Sequence, residues 1–436
     1  MHDSRASTPR RRRAGVTAHR LTQGSRGPGT ADATPRAHVR GPVPLIGPAF
    51  VAAIAYVDPG NFATNLAAGS TYGYMLVWVV VVANVMAMVI QYLSAKAGIA
   101  TGASLPELCR RHFPRPVVRG LWGQAEVVAM ATDLAEILGG ALALKLLFGI
   151  PLVYGGLITG VVAFALLAFQ GRGHRPFEVA IGGLLLVISL GFLYSLVTGG
   201  LDAGAMLTGT IPQLEGTDSL VLAAGMLGAT VMPHAIYLHG ALTEDRYVRD
   251  TEDQRRSLLR SQRVDVVSAM AIAGLVNLSM VVIAAQVLSG GPPVDTIEGA
   301  HAGIGASLGP AAALFFALAL LASGFAASSV GTYSGQVIME GFLRRRVPLF
   351  LRRLITLAPG LVVLAVGVDP TQALILSQVV LSFGIPFALI PLVLLTRRRD
   401  VMGSLVNRPI TTAAAGAMAV VISLLNAVLI WLTVTN

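Results

Sequence analysis

The sequence predicts an all-α integral membrane protein with eleven transmembrane helices, and three observations carry that expectation. Of its 436 residues, 54% are hydrophobic and only 12% charged, with a mean hydropathy of +0.70. That is more apolar surface than a soluble fold of this length hides. Eleven apolar runs bounded by Gly, Pro or charge follow residue 44, each near the ~20 residues a helix needs to cross hydrocarbon. The basic residues, finally, segregate to one side of those runs, as they do in a chain threaded through a bilayer.

Taken in order, the chain opens with a basic tail, residues 1–44, in which nine arginines face only Asp3 and Asp32. It shows no amphipathic period, so it reads as a disordered cytoplasmic extension rather than a transit peptide or a nucleic-acid arm. The apolar runs then fall at 45–70, 75–98, 117–147, 151–170, 177–199, 217–243, 265–288, 310–341, 354–368, 371–396 and 409–434. Several are rich in Gly and Ala, which suits close helix packing inside a bilayer. The single cysteine, Cys109, excludes an internal disulfide, a thiolate zinc site and an iron–sulfur cluster.

Orientation follows from charge. With the tail inside, Lys145 is the one basic residue of 32 that falls outside, while Asp202, Glu215, Asp218, Asp295, Glu298 and Asp369 gather on the outer loops. An odd number of spans then puts the N-terminus in the cytoplasm and the C-terminus outside the cell membrane. The expected divisions are 45–200 for spans 1 to 5, 201–400 for spans 6 to 10 and 401–436 for span 11. Because five is odd, the second set of five is inverted relative to the first.

Spans 1 and 6 hold corresponding places in the two sets, and both are interrupted at mid-membrane, by Asp58-Pro59-Gly60-Asn61 and Met232-Pro233-His234. Proline has no N–H and crowds the carbonyl four residues back, so Pro59 orphans the carbonyl of Ala55 and Pro233 that of Ala229. In hydrocarbon such a carbonyl costs several kcal/mol unless it faces protein or a cavity. Matching broken helices in inverted halves point to a transporter with its site at the repeat interface, and an intramembrane acid such as Asp58 points the same way. The donor set at the gap reads as the Asp58 carboxylate, the Asn61 amide oxygen, the Met232 thioether and the carbonyls of Ala55 and Ala229. A thioether gives hard Mg²⁺ and Ca²⁺ nothing, whereas transition metals accept it, so a divalent transition-metal substrate is expected.

At this point the residues resemble the Nramp family of proton-coupled divalent metal transporters, whose signatures are DPGN on helix 1 and MPH on helix 6. The flanks YVDPGNFATN (56–65) and MPHAIYLHGAL (232–242) fit as well, and the resemblance covers residues 45–434. It implies a LeuT-like fold with a 5+5 inverted repeat, and inward release of manganese or ferrous iron, with cadmium or cobalt also carried. It places the ligand role on Asp58, Asn61 and Met232. Ala235 departs from the Asn common after MPH in many members, and the basic tail is no part of the pattern.

Helix 3 carries Glu126, Asp133 and Glu136 at spacings of seven and three, which sets all three on one face. A line of acids in a spanning helix suggests a proton relay, and His234, one turn past the gap, is placed to link Asp58 to it. The resemblance routes that path along helices 3 and 9, past Arg352 and Arg353. Gln378 on helix 10 is a possible further metal ligand. His239 follows His234 at the wrong spacing for paired zinc ligands and no HExxH occurs, so an enzyme is not expected. No resident cofactor and no obligate protein partner is expected either; the partners are the bilayer, the metal ion and the proton. The competing reading is a sodium-coupled organic-solute symporter on the same fold.

Overall fold

The computed structural model describes residues 47–168, 174–200, 202–244, 251–290, 294, 296–345 and 347–435. The tail over 1–44 lies outside the described residues, as do Arg172, Arg246, Arg249, Asp295 and Arg346. In chain order, span 1 is two helices, α1 (Pro48–Ala55) and α2 (Pro59–Tyr72), and span 2 is α3 (Val77–Thr101). A short α4 (Leu105–His112) leads to span 3, α5 (Arg115–Phe148), then span 4, α6 (Leu152–Ala168), and span 5, α7 (His174–Gly199). After α8 (Ala203–Thr208), span 6 is again two helices, α9 (Gly216–Thr230) and α10 (Pro233–Glu244), and span 7 is α11 (Glu252–Val287). Then come α12 (Ile297–Leu308), span 8 as α13 (Pro310–Leu343), span 9 as α14 (Leu349–Val366), span 10 as α15 (Pro370–Thr396), α16 (Arg399–Met402) and span 11 as α17 (Pro409–Thr435).

Both expected breaks are present, and each resumes with proline in the first turn, where a missing N–H loses no intrahelical bond. Among the described residues, eight helices are long and apolar enough to cross a membrane. The other three are spans 1, 4 and 9: span 1 is two short helices of 8 and 14 residues, span 4 has 17 residues and span 9 has 18.

Span 7 begins 13 residues before its apolar run. The polar segment 252–264 continues the helix because Thr251 and Gln254 form a reciprocal capping box and Glu252 and Asp253 occupy the first turn, where negative charge suits the helix dipole. Hydropathy reports what lies in the membrane, not where a helix ends. The same limitation hid the short helices α4, α8 and α12, none long enough to read as a span.

The internal repeat is visible in which helices touch. α5 packs on α15 and α14 as α13 packs on α7 and α6, α2 packs on α11 as α10 packs on α3, and α9 packs on α15 as α1 packs on α7. Each pairing becomes the other when span n is exchanged with span n+5, while α5 and α13 exchange with each other and share an extensive interface. Span 6 is the most enclosed, with 89% of its apolar window buried, against 33% for span 5 and 28% for span 11. The two broken spans therefore sit inside, and spans 5 and 11 present their leucines and valines to lipid.

Two contacts fix the broken spans in place. Phe62 of α2 meets Phe192 of α7 and Phe316 of α13 edge-to-face at 5.2 and 5.8 Å, an arrangement that adds specificity to burial. Gly228 of α9 lies against the backbone of α15 so closely that a Cβ would stand 2.0 Å from the Gln378 carbonyl oxygen. That approach brings the Gln378 side chain level with the break in span 1.

Candidate metal site

The first break is built from backbone that turns on itself. After α1 ends at Ala55, the N–H groups of Tyr56 and Val57 donate back to the carbonyls of Ala53 and Ile54 at 3.0 and 3.1 Å. The carbonyls of Tyr56 and Val57 accept from Asn277 Nδ2 at 2.8 Å and Ser323 Oγ at 2.6 Å. Asp58 is extended and caps α2, accepting the Asn61 N–H at 2.9 Å. In span 6 the Val231 N–H returns to the Leu227 carbonyl at 2.7 Å. Ala55 and Ala229 are left as the carbonyls whose helical partners would be Pro59 and Pro233. Both end helices whose C-terminal dipoles carry partial negative charge, an environment that favours a cation.

Asn61 joins the two breaks. Its Nδ2 donates to Asp58 Oδ1 at 2.8 Å and to the Ala229 carbonyl at 2.9 Å, while Thr230 Oγ1 donates to its Oδ1 at 3.4 Å. Asp58, Asn61 and Met232 are all fully buried. As placed, the amide N–H₂ fills the space between two oxygens that read as ligands. Ligation through Asn61 Oδ1 therefore requires the amide to turn over, which frees Asp58 and Ala229 in the same movement. Gln378 arrives from the other side, its Nε2 3.5 Å from Asp58 Oδ2. Its amide lies over Gly60, where a Cβ would come within 1.8 Å of Nε2. Its Oε1 is buried and makes no hydrogen bond to the described residues.

No group of three or more His, Cys, Asp or Glu side chains that could hold a metal occurs among the described residues. A cation at this gap thus has one carboxylate, and its remaining donors are amides, carbonyls and a thioether.

The acids of span 3 meet span 9 as two ion pairs. Arg353 Nη1 donates to Asp133 Oδ1 at 2.7 Å, and Arg352 Nη2 donates to Glu126 Oε2 at 3.0 Å. Arg353 also donates to Ser328 Oγ, and Arg352 to the Gly335 carbonyl. Glu136 differs. Both its carboxyl oxygens are buried and no arginine or lysine among the described residues donates to them, while Asp133 lies close enough to interact with the carboxyl. His234 is buried with Nδ1 3.3 Å from Thr132 Oγ1 of span 3, and its carbonyl accepts from Ser334 Oγ at 2.8 Å. It therefore faces the helix of acids through a threonine. His239 instead donates from Nδ1 to Gln91 Oε1 at 2.8 Å, and Gln91 Nε2 donates to the Tyr56 hydroxyl at 2.5 Å.

Thr230, Ser323, Thr132, Ser328 and Ser334 were not singled out by the sequence. Their hydroxyls are common in membrane helices, and nothing in their spacing distinguishes one that reaches across to a broken helix. A search for donors to the two freed segments would have been the one available signal.

Two paired broken helices, inside a scaffold whose halves exchange by five spans, define the architecture of a secondary transporter. Residues 49–432 match the family described as natural resistance-associated macrophage protein-like, Nramp. The chain belongs to that family. It is 51% identical over 421 residues to a divalent metal cation transporter, MntH, of Deinococcus radiodurans, covering 96% of this chain and 94% of that one. Against MntH of Mycobacterium tuberculosis the identity is 54% over 394 residues, 90% and 92% of the two chains. Among solved structures, a manganese transporter of Eremococcus coleocola superposes with a TM-score of 0.82 at 30% identity, covering 91% and 90% of the two chains. The nucleobase-cation-symport-1 family transporter Mhp1 gives 0.57 at 18% identity over 88% and 89%, which shares the fold alone.

The Asp133–Arg353 pair, with side chains only 6% and 4% exposed, generates a prediction. Arg353→Gln leaves a buried carboxylate uncompensated and should destabilise the protein by about 3–5 kcal/mol. Adding Asp133→Asn removes that charge and should recover most of the loss. Thermal melting of the detergent-solubilised single and double variants checks this, and equal melting points for the two would mean the pair is not coupled.

Proposed function

We propose that the chain imports divalent transition-metal ions, manganese or ferrous iron foremost and cadmium or cobalt less selectively, coupled to protons, by alternating access in the cytoplasmic membrane. The N-terminus lies inside and the C-terminus outside, as the charge segregation requires. The observation that carries this reading is the gap itself. One buried carboxylate stands where two helix C-termini meet, with an amide able to turn over and a thioether beside it. Substrate binding exchanges N–H donors for a dication: the ion takes oxygens that Asn61 and Gln378 otherwise hold. Ala55, Ala229, Asp58, Asn61 and Met232 are the ligands, with Gln378 joining when the site is closed. What the MntH relatives are named for, divalent metal cation transport, agrees.

Proton coupling follows from charge. A dication arriving at Asp58 displaces the proton from that carboxyl, and the acids of span 3 are the nearest line that can receive it, with His234 and Thr132 between. Asp133 and Glu126 face fixed counter-charges in Arg353 and Arg352. Glu136 forms no ion pair of its own among the described residues, which suits it to exchange a proton with the site. We read the chain as a transporter rather than an enzyme, and nothing at the gap favours an organic solute over a bare cation.

Uptake into proteoliposomes tests each part. Asp58→Ala removes the one charged ligand and should reduce ⁵⁴Mn²⁺ uptake at least ten-fold, the order expected when a buried charge loses its partner; uptake close to wild type would refute the site. Glu136→Gln keeps shape but carries no proton, so metal-driven acidification should fall several-fold more than metal uptake. Equal falls, with a lowered melting point, would make the span 3 acids scaffold. Met232→Ala should cost Cd²⁺ uptake more than Mn²⁺ uptake and let millimolar Ca²⁺ or Mg²⁺ compete, because an all-oxygen site no longer disfavours hard ions. An unchanged ion ranking would make Met232 packing.

A further inference from the structure

Where α4, the start of α5 and the end of α13 meet, a cavity of ≈ 490 Å³ is lined by Arg110, Arg111, Arg115, Arg119 and Arg344. Its remaining wall is apolar, made by Phe113, Val118, Phe342 and Leu343. One acid answers this charge: Glu107 Oε1 accepts from Arg110 at 3.1 Å and from Arg111 at 2.6 Å. No ion pair among the described residues reaches Arg115, Arg119 or Arg344.

Four local rules are broken here at once. Arg115 opens α5 and Arg119 follows one turn later, so two cations lie at the positive end of a helix, where the dipole opposes them. They are also like charges at i,i+4, which repel. The N-cap, Pro114, makes no side-chain cap. Arg344 holds φ +55° and is the one non-glycine residue with positive φ among those described, a conformation that L residues adopt at some strain. Each departure destabilises the protein alone, and a bound anion would relieve the electrostatic ones together, with first-turn N–H groups of α5 available to it as well.

We propose that this cavity binds the phosphodiester of an anionic phospholipid, with an acyl chain against Phe113, Phe342 and Leu343. A lipid is the source rather than free phosphate for two reasons. The cavity is amphipathic, where an inorganic ion would leave its apolar wall unused. Its position also fits: α5 has 34 residues, about 50 Å at the helical rise, against a hydrocarbon core of about 30 Å. The first turns of α5 therefore stand at headgroup level, on the side where basic pockets recruit anionic lipid. Arg110 also lines the neighbouring ≈ 340 Å³ cavity beside Glu107, Glu244 and Glu340, at the ends of α10 and α13. A bound headgroup would screen Arg110 where the two cavities adjoin. The site itself rests on charge and fold, whatever ion is carried.

Native mass spectrometry of the full chain in detergent, with added phosphatidylglycerol or phosphatidylcholine, tests this. Wild type should retain phosphatidylglycerol roughly ten-fold better than phosphatidylcholine, as expected of a multivalent basic pocket. R115Q/R119Q/R344Q should bring that preference to within about two-fold, while R260Q/R397Q/R399Q, which removes the same charge elsewhere, should leave it intact. Equal losses in the two triple variants would overturn the proposal, as would retention unaffected by either. Displacement of the lipid by millimolar inorganic phosphate would also overturn it and assign the cavity to a soluble anion. Should the first triple variant fail to fold, the single Arg→Gln changes carry the same comparison, each lowering retention about three-fold.

Discussion

Two carbonyls that no helix can satisfy, those of Ala55 and Ala229, set the terms for the interior of this bundle. Proline four residues on removes their partners, and hydrocarbon supplies no replacement. Asn61 crosses from span 1 to donate to the Ala229 carbonyl, and around the first break Asn277 of span 7 and Ser323 of span 8 serve the carbonyls of Tyr56 and Val57 while Gln378 of span 10 reaches Asp58. Those residues need backbone within reach, which is why Gly60 and Gly228 admit neighbours closer than any Cβ would allow. The broken helices thus dictate both the polar residues around them and the small residues that let them arrive.

The same constraint connects stability to transport. Asn61 donates to Asp58 and Ala229, so the groups that satisfy the breaks are also those a cation would engage. Binding then replaces one set of satisfied oxygens with another, and the net free energy stays small enough for release as well as capture. The acids of span 3 obey a similar logic. A buried carboxylate without a partner is strongly destabilising, and the two arginines of span 9 supply that partner to Asp133 and Glu126. Glu136 forms no ion pair of its own among the described residues, and the proposed relay would need such a member, whose charge the exchanged proton balances.

How much of this was legible in the sequence depends on how rare each signal is. Proline after an acid or a methionine inside an apolar run is rare, so both breaks, and Asp58, Asn61 and Met232 around them, could be read directly. Three acids at helical spacing in a membrane span are rarer still, and two of them, Glu126 and Asp133, do meet Arg352 and Arg353. The hydroxyl donors were illegible. Thr159 and Ser195 donate to the carbonyls of Gly155 and Gly191, four residues back in their own helices, at 2.8 and 3.1 Å. Ser323 and Ser334 donate across to another helix, and no local pattern separates the two habits. Helix ends beyond the membrane, as in span 7, escaped because hydropathy does not see a solvated helix. The direction of the Asn61 amide was likewise beyond reach, since an asparagine offers oxygen or N–H₂ by a half-turn.

In the site proposed here a single carboxylate would have to suffice for a dication, and helix ends account for how it could. Each helix C-terminus carries about half a negative charge, and α1 and α9 both end at the site, so together with Asp58 they balance two positive charges. A second acid would leave the occupied site negative and deepen the well from which the ion must escape. Hard ions such as Ca²⁺ prefer six to eight oxygen ligands and more charged ones, and here the carboxylate count is low and a sulfur stands where an oxygen could. On the proposed reading a site with one acid would hold a transition metal firmly enough to strip its water yet loosely enough to give it up. It would also leave a single carboxyl whose proton and metal ion exclude each other, which is the simplest way for the flow of one to depend on the other.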